Sequence, residues 1–349
     1  MPSPLTLAVL LPVLVVLLTV AGLFAYIWLR YGPVVARIFE EKPLFLPLRI
    51  EAKPGEEVRF RTSDGLTLAG TYLPRRTQSR AGVVVFSHEY LSDRWGVVPY
   101  IDGLRDLGFD LFTFDYRNHG RSESKTDYEP LQWVSEYEIR DLKAALAYLR
   151  TRPDADPAGV GLFGVSRGGT TALCVTAAEP SVWGVATDGA FPIRGTMMAY
   201  IQRWAEIYIH SRSIFNKMPK WMYRFVGWAG RSRSARRLNC SFPDVERATR
   251  QIAPRPLFMI HGEKDAYISP AIARGLFDEA GDPKEIWIVP LAKHNRSRER
   301  QPEEHFARLS KFFRANAPRS ISEPVRQATE VVREETKVTE PVIATTVSA

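Results

Sequence analysis

Cysteine is scarce in this sequence of 349 residues. Only Cys174 and Cys240 occur, and neither belongs to a Cys-x-x-Cys pair or lies beside a histidine-rich stretch. A disulfide scaffold is therefore excluded, and the ligand spacing of a zinc site is missing. We expect the chemistry of this chain to need no metal ion and no organic cofactor. Cys174 lies on an apolar segment, which indicates a core residue.

Charged side chains are absent from the first 29 residues, and Leu5–Leu29 is almost wholly apolar. A helix of this length can cross a bilayer with some tilt. A cleaved signal peptide is the competing interpretation, but it requires a basic segment before a shorter apolar run. No Lys or Arg precedes the apolar run here. We therefore predict an uncleaved, single-pass transmembrane anchor over residues 1–30.

Basic residues follow the apolar run at Arg30, Arg37 and Lys42. The positive-inside rule therefore predicts a cytoplasmic location for the remainder of the chain. Residues 31–54 contain several prolines among apolar side chains, which indicates an irregular juxtamembrane linker near the membrane surface.

Short apolar runs then alternate with segments of helical periodicity, which predicts a mainly parallel, twisted sheet with helices on both faces over residues 55–317. Residues 318–349 contain no aromatic side chain and no sustained periodicity, so we predict a disordered tail. The predicted strands are Val58–Thr62, Leu66–Leu73, Val83–Ser87, Phe109–Phe114, Val160–Phe163, Val182–Thr187, Leu257–Ile260 and Ile286–Val289, and the predicted helices are 98–107, 131–149, 166–178, 270–280 and 302–316.

One serine lies at the junction of an apolar strand and a helix, in the pattern Gly164-x-Ser166-x-Gly168. A serine on a sharp strand-to-helix turn exposes its hydroxyl, and the N-terminus of the following helix favours developing negative charge. This pattern predicts that Ser166 is a nucleophile.

A nucleophilic serine needs a base that accepts its proton. His294 lies in a polar loop just past the apolar strand that ends at Val289, so we expect it at the same sheet edge as Ser166. We interpret four other histidines as less suitable: His261 as structural, His119 as part of a different loop, and His210 and His305 as ordinary surface or helix positions.

The base in turn needs a carboxylate that fixes its tautomer. Asp265 follows the strand Leu257–Ile260 and lies between Ser166 and His294 in the chain, which is the order expected when a serine turn opens the set. Glu263 in the same loop and Asp188 after the preceding strand are the alternatives.

These motifs resemble the α/β-hydrolase family over residues 55–316. The resemblance rests on Gly164–Gly169, on His261–Asp265, on His294 followed by a helix, and on the loop Phe114–Ser122. It implies that Ser166 is the nucleophile, Asp265 the acid and His294 the base.

The family's oxyanion loop usually has glycine after histidine, whereas this chain has His88 followed by Glu89. The match implies that the backbone N–H groups of Tyr90 and Arg167 face the developing oxyanion. A carboxylate at residue 89 would oppose catalysis unless it points away from that oxyanion.

Residues 191–250 hold 12 Lys and Arg against three Asp and Glu, interleaved with Met, Trp and Phe. An insertion at this point resembles the helical cap of many α/β-hydrolases. Two interpretations stay open: a solvated basic face with aromatic side chains packed onto the domain, or an amphipathic lid on anionic lipid. Nucleic acid is the least favoured partner, since a membrane anchor and a catalytic serine explain the same residues.

Together these observations predict a membrane-anchored serine hydrolase of the esterase or lipase type, acting on the ester or thioester of a small-molecule or lipid acyl substrate. An acyltransferase would share the acyl-enzyme half of the reaction, and a non-catalytic, membrane-tethered binding module is the third hypothesis.

Overall fold

The computed structural model describes residues 4–42, 50–208 and 219–318. Beyond Pro318, the predicted tail lies outside the described residues, as does His210. The described part contains an N-terminal helix, an eight-stranded sheet with helices around it, and a group of helices inserted after the sixth strand.

The strands pair in the order β1-β2-β4-β3-β5-β6-β7-β8. The pairs β1–β2 and β2–β4 are antiparallel, and all other neighbours are parallel. The strands are β1 Glu56–Arg61, β2 Thr67–Leu73, β3 Gly82–Ser87, β4 Phe109–Phe114, β5 Val160–Val165, β6 Val182–Asp188, β7 Leu257–Gly262 and β8 Lys284–Val289.

The helices are, in chain order, α1 Pro4–Glu40, α2 Val97–Ile101, α3 Glu136–Thr151, α4 Arg167–Ala178, α5 Ile193–Tyr208, α6 Lys220–Arg237, α7 Val245–Arg250, α8 Pro270–Glu279, α9 Ser297–Arg300 and α10 Pro302–Asn316. Short 3₁₀ turns over Arg94–Gly96 and Asp102–Leu107 flank α2.

The sequence-based α/β architecture is confirmed, with helices on both faces of a mainly parallel sheet. Strand β4 has the predicted bounds, and β1 and β2 form the predicted hairpin. The helix predicted over 131–149 begins later, at Glu136. There the side chain of Ser135 accepts a hydrogen bond from the first turn and Glu138 reaches back to the backbone of Ser135, so a capping box sets the start of the helix.

The linker prediction is wrong for its first ten residues. Helix α1 continues through Pro33 to Glu40, although an internal proline removes one helical hydrogen bond and costs about 3 kcal/mol in an isolated helix. Packing explains the difference, because Val35, Ala36 and Phe39 are buried on this segment. Burying each large apolar side chain contributes about 1.5–3 kcal/mol, which offsets the cost of the proline.

The second half of α1 packs along α6, and the two helices run in the same direction. Phe24 contacts the rings of Trp221 and Phe225, with ring centroids 5.5 Å and 4.7 Å apart. Farther along both helices, a Cβ on Gly230 would lie only 2.4 Å from the side chain of Val35. The aromatic side chains of the cap therefore pack on the N-terminal helix, an arrangement that neither interpretation of the cap included.

The first half of α1 has no such cover in the described structure. Every described side chain from Leu10 to Leu23 is exposed, and the helix is long and apolar enough to cross a membrane. Residues 5–23 span about 28 Å of helix, close to the roughly 30 Å of a bilayer's hydrocarbon core.

Candidate active site

Ser166 connects β5 to α4 with a backbone that side-chain-bearing residues rarely adopt, at φ 50° and ψ −118°. Neighbouring backbone enforces this tight turn. A Cβ on Gly168 would lie 2.2 Å from the carbonyl oxygen of Ser87, so only glycine fits between the turn and the end of β3. The Ser87 hydroxyl also donates a hydrogen bond of 2.8 Å to the Gly168 carbonyl. The sequence pattern therefore produces the strained strand-to-helix turn expected of a nucleophile.

The three residues selected from the sequence lie in one hydrogen-bonded chain. Ser166 Oγ is 3.0 Å from His294 Nε2, and His294 Nδ1 is 2.6 Å from Asp265 Oδ2. They meet because each follows one of the parallel strands β5, β7 and β8, which lie close together in the sheet. The loops after these strands therefore converge at one edge of the sheet. Chemically, the arrangement can move a proton from the serine hydroxyl to the imidazole.

The second oxygen of Asp265 fixes the orientation of the carboxylate. Asp265 Oδ1 accepts hydrogen bonds of 2.9 Å from the backbone N–H groups of Tyr267 and Ile268. Burial alone would raise the pKa of Asp265, but the hydrogen bond with His294, the charge of that imidazole and of His261, and the backbone donor outweigh it, so the pKa lies below its ordinary value. Asp265 is therefore an ionised acceptor at neutral pH.

The carboxylates of the two alternative acids, Glu263 and Asp188, are hydrogen-bonded to groups other than His294. Glu263 Oε2 accepts a hydrogen bond of 3.0 Å from the backbone N–H of Leu291. Asp188 accepts hydrogen bonds from the Ser297 hydroxyl at 3.0 Å and from His305 Nε2 at 3.1 Å. Neither carboxylate is hydrogen-bonded to His294 in the described structure.

His305, interpreted as an ordinary surface or helix position, lies on helix α10, but the surface alternative is wrong. The side chain is fully buried and paired with Asp188, which lies under the same sheet edge. The pairing depends on α10 packing beneath the sheet, and no local feature of the sequence around residue 305 indicates it. His261, interpreted as structural, is also buried, and its Nε2 lies 2.8 Å from the Ile268 carbonyl.

The N–H groups of Tyr90 and Arg167 lie on the loops after β3 and β5. Among the described residues, neither group donates a hydrogen bond to a protein acceptor. Arg167 is also the first residue of α4, where the helix dipole favours a negative charge. Its guanidinium is fully buried, donates to the Leu131 carbonyl at 3.1 Å and lies over the rings of Tyr90 and Tyr116. The side chain thus holds the two loops together.

Glu89 points toward the loop that carries the candidate base. Its carboxylate accepts a hydrogen bond from the side-chain amide of Asn295, the residue after His294. Burial raises the pKa of the Glu89 carboxyl, and this hydrogen bond opposes the shift. The glutamate therefore connects the loop after β3 to the His294 loop, a role that the sequence did not indicate.

The imidazole of His88, in the loop after β3, is neutral. Burial and the nearby Arg167 charge lower the pKa of His88 to about 3. Its Nδ1 lies 2.7 Å from the Glu89 carbonyl and its Nε2 accepts a hydrogen bond from the Tyr116 N–H, so backbone groups bind both ring nitrogens. The ring therefore serves to position the loop.

A narrow pocket of about 20 Å³ lies over the serine and the histidine. No motif in the sequence indicates the residues of its wall, although Tyr267 follows Asp265 closely in the chain and Tyr200 lies in the predicted cap. No group of three or more His, Cys, Asp or Glu side chains in the described ranges is arranged to hold a metal ion. The pocket is lined by Gln132, Trp133, Phe191, Tyr200, Tyr267 and Ile268 beside Ser166 and His294.

Comparisons with known proteins agree with this architecture. The family model for the alpha/beta hydrolase fold matches residues 83–242. An esterase from Pyrococcus furiosus superimposes with a TM-score of 0.58 at 22% identity, covering 80% of this chain and 100% of the esterase chain. The fold of the described domain is therefore the α/β-hydrolase fold.

Two relatives are similar in sequence. The protein YfhR of Salmonella typhi is 25% identical over 264 residues, covering 73% of this chain and 79% of YfhR. The thiohydrolase aneE of Aspergillus aculeatus is 36% identical over 126 residues, covering 35% of this chain and 37% of aneE. Over residues 83–242 the chain is therefore similar to proteins of the alpha/beta hydrolase fold, and these two relatives are similar to it in sequence.

Proposed function

We propose that this chain is a membrane-anchored serine hydrolase that cleaves a carboxylic ester or thioester. The observation that carries the proposal is the hydrogen-bonded chain from Ser166 through His294 to Asp265, built on a strained strand-to-helix turn. A buried, correctly ordered set of nucleophile, base and carboxylate is the requirement for acyl transfer to serine.

In the proposed reaction, Ser166 Oγ attacks the substrate carbonyl while His294 Nε2 accepts the serine proton. Asp265 stabilises the resulting imidazolium, and the N–H groups of Tyr90 and Arg167 bind the negative oxygen. His294 then donates its proton to the departing alcohol or thiol, which leaves an acyl-serine. Water, deprotonated by His294, attacks this acyl group, and the carboxylic acid leaves as the serine regains its proton.

The similarity to a thiohydrolase and an esterase supports an acyl substrate with an oxygen or sulfur leaving group. Both leaving groups accept the proton that the imidazole carries, so one mechanism serves both classes. Esters and thioesters would both form the same kind of acyl-serine intermediate.

The exposed first half of α1 supports the membrane anchor. Its apolar side chains would otherwise face water, and this uncovered length matches a bilayer. At its end, Phe24 contacts the start of α6, where Lys220 and Arg224 are exposed. We propose that these basic side chains lie at anionic lipid headgroups and that the catalytic domain is cytoplasmic.

The test is labelling by a fluorophosphonate probe in membranes from cells that express the full chain. We expect labelling of the wild-type protein and none of Ser166→Ala. Ser269→Ala is the matched control, because the Ser269 side chain makes no capping hydrogen bond and lies outside the site. Failure to label a folded wild-type protein would contradict the serine mechanism.

Two truncations test the anchor. Removing residues 1–22 should release a folded, labelled protein into the soluble fraction. Removing residues 1–40 should destroy the fold, because the ring of the fully buried Phe39 stacks on Trp133 at 4.9 Å and its carbonyl accepts the Trp133 N–H at 2.7 Å. A shorter truncation that stays in the membrane would contradict the proposed anchor.

A further inference from the structure

The narrow pocket over Ser166 adjoins a larger cavity. This second cavity measures about 420 Å³, and its walls share Gln132, Tyr200 and Tyr267 with the narrow pocket. Of the described lining residues, only these three side chains are common to the two pockets, so the larger cavity lies next to the space over the serine.

Helix α5 forms one wall of the larger cavity. Tyr200, Trp204 and Ile207 recur at helical spacing on one face of α5, and all three line the cavity. Tyr200 also lines the narrow pocket, whereas Ile207 lines only the larger cavity. Seven residues of helix separate them, so this wall extends about 10 Å away from the site.

The end of helix α1 contributes to another wall, through Ile38. The adjacent residue Phe39 fixes this wall, because its ring stacks on Trp133, a residue that lines the narrow pocket. The charged side chains at the cavity, Glu41 and Arg203, are exposed, whereas Ile38 is half-buried. Most of the described lining residues are apolar or aromatic, and the two charged ones are exposed to solvent.

We propose that this cavity binds the acyl chain of the substrate and that the end of the N-terminal helix is part of the substrate site. The inference rests on the proposed function, since it takes Ser166 as the residue that is acylated. The volume of about 420 Å³ lies within the range of about 300–1,000 Å³ that is typical of small-molecule sites, so it gives room for an acyl chain. An apolar lining favours methylene groups over a polar substituent.

The test uses the full-length protein in detergent and two p-nitrophenyl esters, the acetate and the decanoate, which share a leaving group. Ile38→Trp fills space at the wall that α1 contributes, and Ile207→Asp places a charge at the wall that α5 contributes. Each variant should lower the ratio of kcat/KM for the decanoate to that for the acetate by about tenfold or more, since misfit in an apolar pocket costs this much. Val34→Trp is the matched control, one turn earlier on α1, where the side chain is 46% exposed and lines neither cavity.

The ratio of decanoate to acetate activity decides the inference. An unchanged ratio in both variants would overturn it while fluorophosphonate labelling of Ser166 persists, so the proposed function would stand. A wild-type protein that neither hydrolyses these esters nor reacts with the probe would instead refute the proposed function. If Ile38→Trp unfolds, Ile38→Ala supplies the same test, because a wider cavity should raise the preferred chain length. The acyl assignment would be overturned if the variants changed the preference for the chain length of the alcohol part of an ester but not for that of the acyl part.

Discussion

Replacing Asp265 with asparagine should change the tautomer of His294 while leaving the fold intact. One oxygen of Asp265 accepts two backbone N–H groups at 2.9 Å, so an asparagine at this position must direct its carbonyl oxygen to those donors. Turning the amide over would leave both donors without an acceptor, at a cost of about 1–3 kcal/mol each. The NH₂ group therefore faces His294 Nδ1, which becomes a hydrogen-bond acceptor.

The imidazole proton then lies on Nε2, the nitrogen that is 3.0 Å from Ser166 Oγ. A protonated Nε2 cannot accept the serine proton, so the nucleophile loses its base. The corresponding change in the serine proteases lowers kcat by about 10⁴-fold, which is about 5.5 kcal/mol of transition-state stabilisation. We expect a loss of this size in Asp265→Asn.

The assay is kcat for p-nitrophenyl acetate together with the rate of fluorophosphonate labelling, both measured on protein with an unchanged circular dichroism spectrum. Glu263→Gln is the control, because this neighbouring carboxylate contacts the Leu291 backbone and not His294. Its activity should stay within about twofold of wild type, as for most surface substitutions. If Asp265→Asn kept more than a tenth of the activity, another group would have to orient His294 and the reasoning would be wrong.

Three further predictions concern the surroundings of the site. Glu89→Ala should lower kcat by about tenfold, because losing the hydrogen bond from Asn295 frees the His294 loop. Gly168→Ala should lower the free energy of unfolding by about 2–3 kcal/mol in a urea titration, since the added Cβ would lie 2.2 Å from a backbone oxygen of β3. Asp64→Asn should flatten the loss of stability in acid. Burial opposes ionisation of Asp64, but hydrogen bonds from Arg117 and other groups hold its pKa well below the ordinary value. Its stabilising effect is thus complete above the unfolded-state pKa near 4 and is lost as the pH falls toward the folded one.

Each of these predictions has its own control. Glu89→Gln keeps an acceptor and should retain wild-type kcat, so equal losses in both variants would contradict the role of the hydrogen bond. Gly275→Ala adds a Cβ to the middle of α8 with nothing within 4 Å, and it should raise stability by up to about 1 kcal/mol. For Asp64→Asn, an acid-unfolding profile that coincides with that of the wild type would show that its ion pair with Arg117 contributes nothing.

Local pattern was sufficient to predict most of the sheet. The run Val83–Phe86 is apolar throughout because strand β3 has parallel neighbours on both sides and is covered on both faces, so its position is readable without tertiary information. The meeting of Ser166, Asp265 and His294 was predictable for a related reason. Loops that follow parallel strands share one edge, so chain order and strand ends bring these side chains together before any distance is measured.

The remaining features depend on contacts between distant segments. Helix α1 persists past Pro33 because distant segments supply its packing surface: α6, nearly 200 residues later, covers Val35, and Trp133 covers Phe39. The pairing of His305 with Asp188 and the hydrogen bond between Glu89 and Asn295 likewise join residues about 120 or more positions apart. Local periodicity carries no information about such pairs, so the sequence could not indicate them.

The uninterrupted course of α1 has a consequence for how the enzyme would meet its membrane. A flexible linker would let the catalytic domain tumble, whereas a continuous helix that is docked on α6 sets both the height and the facing direction of the domain. Each residue inserted into α1 between Leu23 and Phe24 would turn the domain by about 100° around the helix axis and displace it by about 1.5 Å. In the proposed anchored state, the number of helical residues between the membrane and the domain therefore sets the direction in which the cavity opens.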